Sequence, residues 1–206
     1  MKADFRLQVL EYYNRAAEIY DLTEFIRQGT RRKAVRLAGC LPGERVLDVC
    51  TGTGEQALAF ARLGAHVVGI DISEKMLQVA SRKLIKPAPT WLAMDAARLQ
   101  FPDKSFDIST VSLALHHMPE ETQLQVLGEM ARVTRRRVVI VEPHAPYRAS
   151  LWQAWAFVAS IVDQSEYMGE WVRQDFNHTC RSAGLEVENT WVEAFSLHRI
   201  SLCRPA

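Results

Sequence analysis

Paired cysteines are missing from this 206-residue chain: Cys40, Cys50, Cys180 and Cys203 are scattered and form no C-x-x-C motif. Scattered thiols do not suit a zinc site. With no signal-peptide apolar core near the N-terminus, they predict reduced cysteines and a cytoplasmic protein. An excess of one charge is missing too, because 25 Lys and Arg stand against 24 Asp and Glu for a net charge of +1. The chain therefore has no general electrostatic drive toward nucleic acid or an anionic membrane. No apolar run can span a bilayer; the longest, Leu151–Val162, is broken by Gln153 and Ser160. Internal repeats and low-complexity tracts are also absent. What remains is a hydrophobic share of 48% with 24% charged residues, which suits a single domain over residues 1–206 with a sizeable core.

A glycine turn organises what is present. Val46-Leu47-Asp48-Val49 has the pattern of a buried strand, and Cys50-Thr51-Gly52-Thr53-Gly54 that of a turn. Glu55–Ala61 then has helix composition with apolar residues at helical spacing. Strand, glycine turn and helix bring backbone N–H groups to a ligand at a helix N-terminus. On the bare pattern two ligands compete. Gly52-Thr53-Gly54-Glu55-Gln56-Ala57 fits a dinucleotide fingerprint, with Asp71 placed as the ribose acid of an NAD site. Asp48 favours a cationic ligand instead. A carboxylate at the mouth of the site repels a pyrophosphate but attracts the sulfonium and ammonium of S-adenosylmethionine (SAM). At ~4 Å the two cases differ by roughly 2 kcal/mol even in water.

The rest of the chain alternates strands and helices, as a parallel sheet requires. Phe5–Tyr20 and Thr23–Leu37 read as helices, so residues 1–40 form a cap that either packs simply or folds back over the ligand. Arg27, Arg31, Arg32, Lys33 and Arg36 read as a solvated helix face, with contact of one of them to a SAM carboxylate as the alternative. His66–Ile70 is a second strand ending at Asp71, with Ser73 as N-cap of the next helix. Thr90–Met94 is a third, ended by Asp95, and Asp107–Leu113 a fourth. Arg135-Arg136-Arg137 reads as a solvated turn before a fifth strand, Val138–Val141, and the edge residues Glu142-Pro143-His144. Residues 145–172, with Trp152, Trp155, Phe157, Tyr167 and Trp171, form a helical aromatic insertion that serves as lid, acceptor wall, core or dimer contact. Leu185–Val192 and Phe195–Leu202 close the sheet as an antiparallel pair. The fold class is α/β: a doubly wound, mostly parallel seven-stranded sheet. Ligands bind at the carboxyl ends of such strands, where Ser112, Leu113, His117 and His144 also stand.

Asp48-x-Cys50-x-Gly52-x-Gly54 resembles motif I of the class I SAM-dependent methyltransferases. The resemblance continues in order through Val68-Gly69-Ile70-Asp71-Ile72-Ser73, Met76-Leu77, Asp95-Ala96, Phe101-Pro102 to Phe106-Asp107, and Glu129-Met130-x-Arg132-Val133. Val46–Gly54 is most similar to the ubiquinone/menaquinone C-methyltransferase branch, with Cys50 standing where most relatives have glycine. Leu115-His116-His117 departs from that branch, which normally carries an Arg-Asn-containing segment there, and resembles a segment common elsewhere in the superfamily. The resemblance implies SAM as cofactor. Asp48, Cys50, Thr51, Gly52 and Gly54 would lie at its amino-acid end and Asp71 at the ribose. Ile72, Met76, Asp95 and Ala96 would meet the adenine, and Tyr20, Ser112, Leu113 and His117 the edge of the site.

The expected function is methyl transfer to a small, apolar or aromatic acceptor, without nucleic acid or a membrane span; a homodimer stays open. In-line displacement at a sulfonium methyl needs alignment and exclusion of water. If the acceptor must lose a proton, His117 is the first candidate base and His144 the second, with Tyr20 closing over them. An NAD-dependent oxidoreductase and a non-catalytic SAM-binding protein remain as alternatives.

Overall fold

The computed structural model describes residues 5–144, 166–193 and 198–206, with no side chain described at 23–26. Helix α1 (Phe5–Ala16), a 3-10 turn (Tyr20–Thr23) and α2 (Glu24–Ala38) precede the sheet. The chain then runs β1 (Arg45–Val49), α3 (Glu55–Ala61), β2 (His66–Asp71), α4 (Glu74–Ser81) and β3 (Thr90–Ala93). Next come β4 (Phe106–Ser112), α5 (Glu120–Val133) and β5 (Thr134–Pro143). Two short helices, α6 (Met168–Trp171) and α7 (Phe176–Ser182), lead to β6 (Leu185–Glu193) and β7 (His198–Pro205).

The seven strands form one sheet in the order β3-β2-β1-β4-β5-β7-β6. β3, β2, β1, β4 and β5 pair in parallel, and β7 joins β5 antiparallel. The chain leaves β1 in one direction toward β2 and β3, then returns to its other side as β4. That reversal opens a crevice at the carboxyl ends of β1 and β4. The central strands read as near-continuous apolar runs because helices cover both faces. Leu47, Val49, Val138 and Ile140 point into one core with Phe106, Met130, Trp171 and Phe176. Val46, Val139 and Val141 point into the other with Ala34, Ala38, Phe60 and Ile200.

The expected architecture is present, with local differences. Arg135, Arg136 and Arg137 lie inside β5 rather than in a turn. Arg136 pairs with Glu44, and Arg137 donates to the Ala38 carbonyl (3.0 Å) at the end of α2. There the guanidiniums meet the carbonyls that a helix C-terminus leaves unpaired. Pro119 is the N-cap of α5. Trp171, for which lid, acceptor wall, core and dimer contact stood open, is a core residue whose Nε1 donates to the Pro143 carbonyl (3.0 Å). Trp152, Trp155 and Phe157 lie outside the described residues. Among the described residues no helix is long and apolar enough to cross a membrane.

Candidate active site

One cavity runs along the carboxyl ends of β1, β2 and β4, roofed by α1 and the 3-10 turn; it encloses about 1020 Å³ of empty space, mouth included. Its floor is the turn after β1. Cys50 and Gly52 both have left-handed backbone, with φ of 54° and 56°. A Cβ on Gly52 would meet no protein atom within 4 Å, so the turn leaves open space on the cavity side. Burial raises the Cys50 thiol well above its ordinary pKa, which keeps it protonated.

Asp48 is not at the mouth, as expected, but buried in the floor at 1% exposure. Its Oδ2 accepts from the Thr51 hydroxyl (2.5 Å) and the Ala57 amide (3.0 Å). Ala57 is the third residue of α3, and the N-cap Gly54 has no side chain to satisfy that turn. Asp48 thus caps α3 from the neighbouring strand. Desolvation lifts its carboxyl to a pKa of about 7, against a smaller lowering by Thr51 and Arg31.

Two residues beside Asp48 were not singled out by sequence reasoning. Arg31, read as part of a solvated face, is 9% exposed, lines the cavity, and donates to the Ser112 hydroxyl (3.3 Å). It shares the buried stripe of Ala34, Val35 and Ala38 at i, i+3, i+4 and i+7, a signal the sequence does carry. Gln56 is 1% exposed and lines the same cavity, yet neither its Oε1 nor its Nε2 has a hydrogen-bond partner among the described residues. A buried carboxamide with both ends unmet costs roughly 1–3 kcal/mol per group, a cost a polar ligand removes.

At β2, Asp71 accepts from the amides of Gly52 and Ser73 (both 2.8 Å), and burial raises its carboxyl pKa. Ile72 and Met76 continue the wall toward Met94, Asp95 and Ala96. Asp95 accepts from the Ala97 amide and pairs with Arg6 of α1 (3.2 Å). At β4, Ser112 and Leu113 reach the cavity. The buried Glu142 of β5 shapes the following loop. Its carboxylate accepts from the Ala114 and Leu115 amides (both 2.9 Å) and lies 2.5 Å from His116 Nδ1. His116 in turn supports His117, with ring centroids 4.2 Å apart. His117 Nε2 lies 2.8 Å from the hydroxyl of Tyr13, and Tyr20 packs on Tyr13 at 6.0 Å.

The roof is tied down around the cavity's rim. Ser73 donates to Asn14 (2.7 Å), Arg82 pairs with Glu18 (2.9 Å), and Thr53 donates to Asp21 (2.5 Å). Lys83 bridges Asp21 (2.6 Å) and Glu55 (2.7 Å). These contacts hold α1 and the 3-10 turn against the rim of the crevice.

Thirteen of the expected positions line this cavity: Tyr20, Asp48, Cys50, Thr51, Gly52, Asp71, Ile72, Met76, Asp95, Ala96, Ser112, Leu113 and His117. Two do not. Gly54 faces the sheet, where an added Cβ would come 2.6 Å from the Trp91 ring, so its glycine serves packing and a φ of 84°. His144 stands at the end of β5 outside the lining; burial and the charge of Arg199 hold its imidazole pKa below the ordinary value.

Known proteins resemble this chain in sequence and in fold. Residues 46–137 match the family described as a methyltransferase domain. A demethylmenaquinone methyltransferase of Renibacterium salmoninarum is 38% identical over 133 residues, 62% of this chain and 54% of the relative. A 2-phytyl-1,4-naphtoquinone methyltransferase of Synechococcus elongatus is 31% identical over 174 residues, 78% of this chain and 70% of the relative. The chain thus spans about half of the first protein and just over two thirds of the second. In fold it is similar to the crystal structure of magnesium protoporphyrin IX methyltransferase of Synechocystis with bound S-adenosylhomocysteine. There the TM-score is 0.76 at 21% identity, covering 98% of this chain and 100% of that one. The chain belongs to the class I SAM-dependent methyltransferases, with its similarity running to the quinone C-methyltransferase branch. SAM is the cofactor of that family.

Proposed function

We propose that the protein transfers a methyl group from SAM to a small aromatic, quinone-related molecule. The observation that carries the reading is the grouping at the cavity floor of the Gln56 carboxamide, which has no partner among the described residues, with the Arg31 guanidinium and the Asp48 carboxylate. A zwitterionic amino-acid group suits all three. Its ammonium is attracted by Asp48, and its carboxylate by Arg31 and the Gln56 amide. A pyrophosphate suits them less, because Asp48 repels it.

Gly52 leaves room for the ligand's backbone approach, and Asp71 keeps acceptor capacity for a ribose diol beyond its two amide bonds. Ile72 and Met76 offer apolar contact to a purine, with Asp95 and the Ala96 amide at its polar edge. When bound, SAM supplies an activated methyl on a sulfonium. The chain's own contribution is alignment and exclusion of water by the tied-down roof. Tyr13, Tyr20 and His117 give the acceptor side an aromatic wall. The quinone-directed names of the two relatives support an aromatic acceptor, whereas Leu115-His116-His117 departs from their branch.

The test is a panel of hydroxylated and quinoid arenes incubated with methyl-labelled SAM and read by mass. A labelled product from an aromatic acceptor is expected. Label only in non-aromatic acceptors would refute the acceptor class. SAM binding with no product from any acceptor would instead favour a binding protein.

A further inference from the structure

A second chamber lies beside the cofactor cavity, with about 700 Å³ of empty space, mouth included. Phe5, Val9, Tyr13 and His117 line both. The second chamber adds Tyr12 and Tyr167. Phe5 and Tyr167 meet edge to face at 6.4 Å, and so do Tyr12 and Tyr13 at 5.1 Å. Rings in such arrangements present faces and edges on which a flat aromatic ligand packs.

We propose that this second chamber is the acceptor site and that Tyr13, not His117 alone, takes the proton of an acceptor hydroxyl. The inference rests on the methyl-transfer reading above. In the tautomer with Nδ1 protonated, His117 Nε2 accepts from the Tyr13 hydroxyl at 2.8 Å. His117's basic nitrogen is then engaged, and a ligand in the chamber meets the phenol oxygen, which can accept while it donates. The acceptor O–H bond breaks, its electron pair stays on the acceptor oxygen, and its proton forms a new O–H bond at Tyr13. The proton Tyr13 held passes to His117 Nε2, leaving a neutral phenol and an imidazolium. No oxidant or reductant is involved. His116, carried on Glu142, supports the ring that receives the charge, and Glu166 is a further titratable group lining the chamber.

The probe is 4-nitrophenol, whose phenolate absorbs visible light, added to protein loaded with S-adenosylhomocysteine. Wild type should bind it and hold a larger phenolate share than buffer of the same pH. Tyr167→Ala should weaken the probe at least tenfold with S-adenosylhomocysteine affinity within twofold. Tyr13→Phe, which keeps the ring, should cut the bound-phenolate absorbance at least fivefold with circular dichroism unchanged. If wild type does not bind S-adenosylhomocysteine, the methyl-transfer reading falls and this one with it. If it binds S-adenosylhomocysteine but not the probe, or Tyr167→Ala leaves the probe's affinity unchanged, the chamber is not the acceptor site. If the phenolate band survives Tyr13→Phe, Tyr13 does not take the proton.

Discussion

Replacing Asp48 with Asn should move stability and cofactor affinity in opposite directions. Both hydrogen bonds that Asp48 accepts, from Thr51 and Ala57, go to one oxygen, Oδ2. An Asn carbonyl in that position keeps both, so the substitution removes charge with little loss of capping. Burial raises the carboxyl from 3.8 to about 7. An acid with a raised folded pKa holds its proton more tightly when folded than when unfolded. Its stabilising contribution is therefore complete below about pH 4 and is lost as pH climbs toward 7. A rise of about three in pKa corresponds to about 4 kcal/mol. Asp48→Asn should relieve part of this at pH 8 and raise the melting temperature of the ligand-free protein. SAM affinity should fall instead. A cation ~4 Å from the carboxylate gains about 4 kcal/mol at an effective dielectric of 20, so a loss of about 30- to 1000-fold is expected. Calorimetric titration at pH 6, 7 and 8 checks both signs, since wild-type affinity should rise with pH and the variant's should stay flat. A variant that binds SAM within threefold of wild type at pH 8 would remove Asp48 as the ligand's counter-charge.

Gly54→Ala should destabilise by about 1–3 kcal/mol through overpacking, since its Cβ would lie 2.6 Å from Trp91. Trp91→Val should recover part of that loss in a denaturation double-mutant cycle; additive losses would contradict the contact. Cys50→Gly removes a left-handed non-glycine residue, which costs about 1–2 kcal/mol, partly offset by glycine's entropy. It should leave stability equal or up to about 1 kcal/mol higher by urea titration, with SAM binding intact. Asp71→Ala frees the Gly52 and Ser73 amides and should weaken SAM by about 1.5–3 kcal/mol. An unchanged dissociation constant would take Asp71 out of the site.

The sheet was legible because its strands carry their own signals. Val46–Val49 and Val138–Val141 are apolar runs bounded by turn residues, and the acids Asp48 and Asp71 mark strand ends at the crevice. Gly52 could be placed because a glycine turn after a buried strand shows in the sequence, and Cys50 through the motif it resembles. Gly54 could not be separated from them, since a glycine reserved for an approaching Trp91 looks the same as one reserved for a ligand. Arg31 and Tyr13 were obscured by their neighbours, a basic run in one case and an apolar stripe in the other. Their roles depend on how α1 and α2 fold over the sheet, which rests on tethers between residues far apart in the chain, such as Arg6 with Asp95 and Asn14 with Ser73. The Arg triplet was misread as a turn because a basic run hides a strand start: Arg135 and Arg136 are exposed as expected but lie in β5, and Arg137 reaches the end of α2.

The most direct test of the cavity's assignment is a calorimetric titration of the wild-type protein with S-adenosylhomocysteine, repeated with NAD in excess and on Gly52→Val. Binding with one site per chain is expected, unaffected by NAD and abolished by a branched side chain at φ 56° in the cavity floor. No heat from S-adenosylhomocysteine, displacement by NAD, or undiminished binding by a folded Gly52→Val would contradict the account.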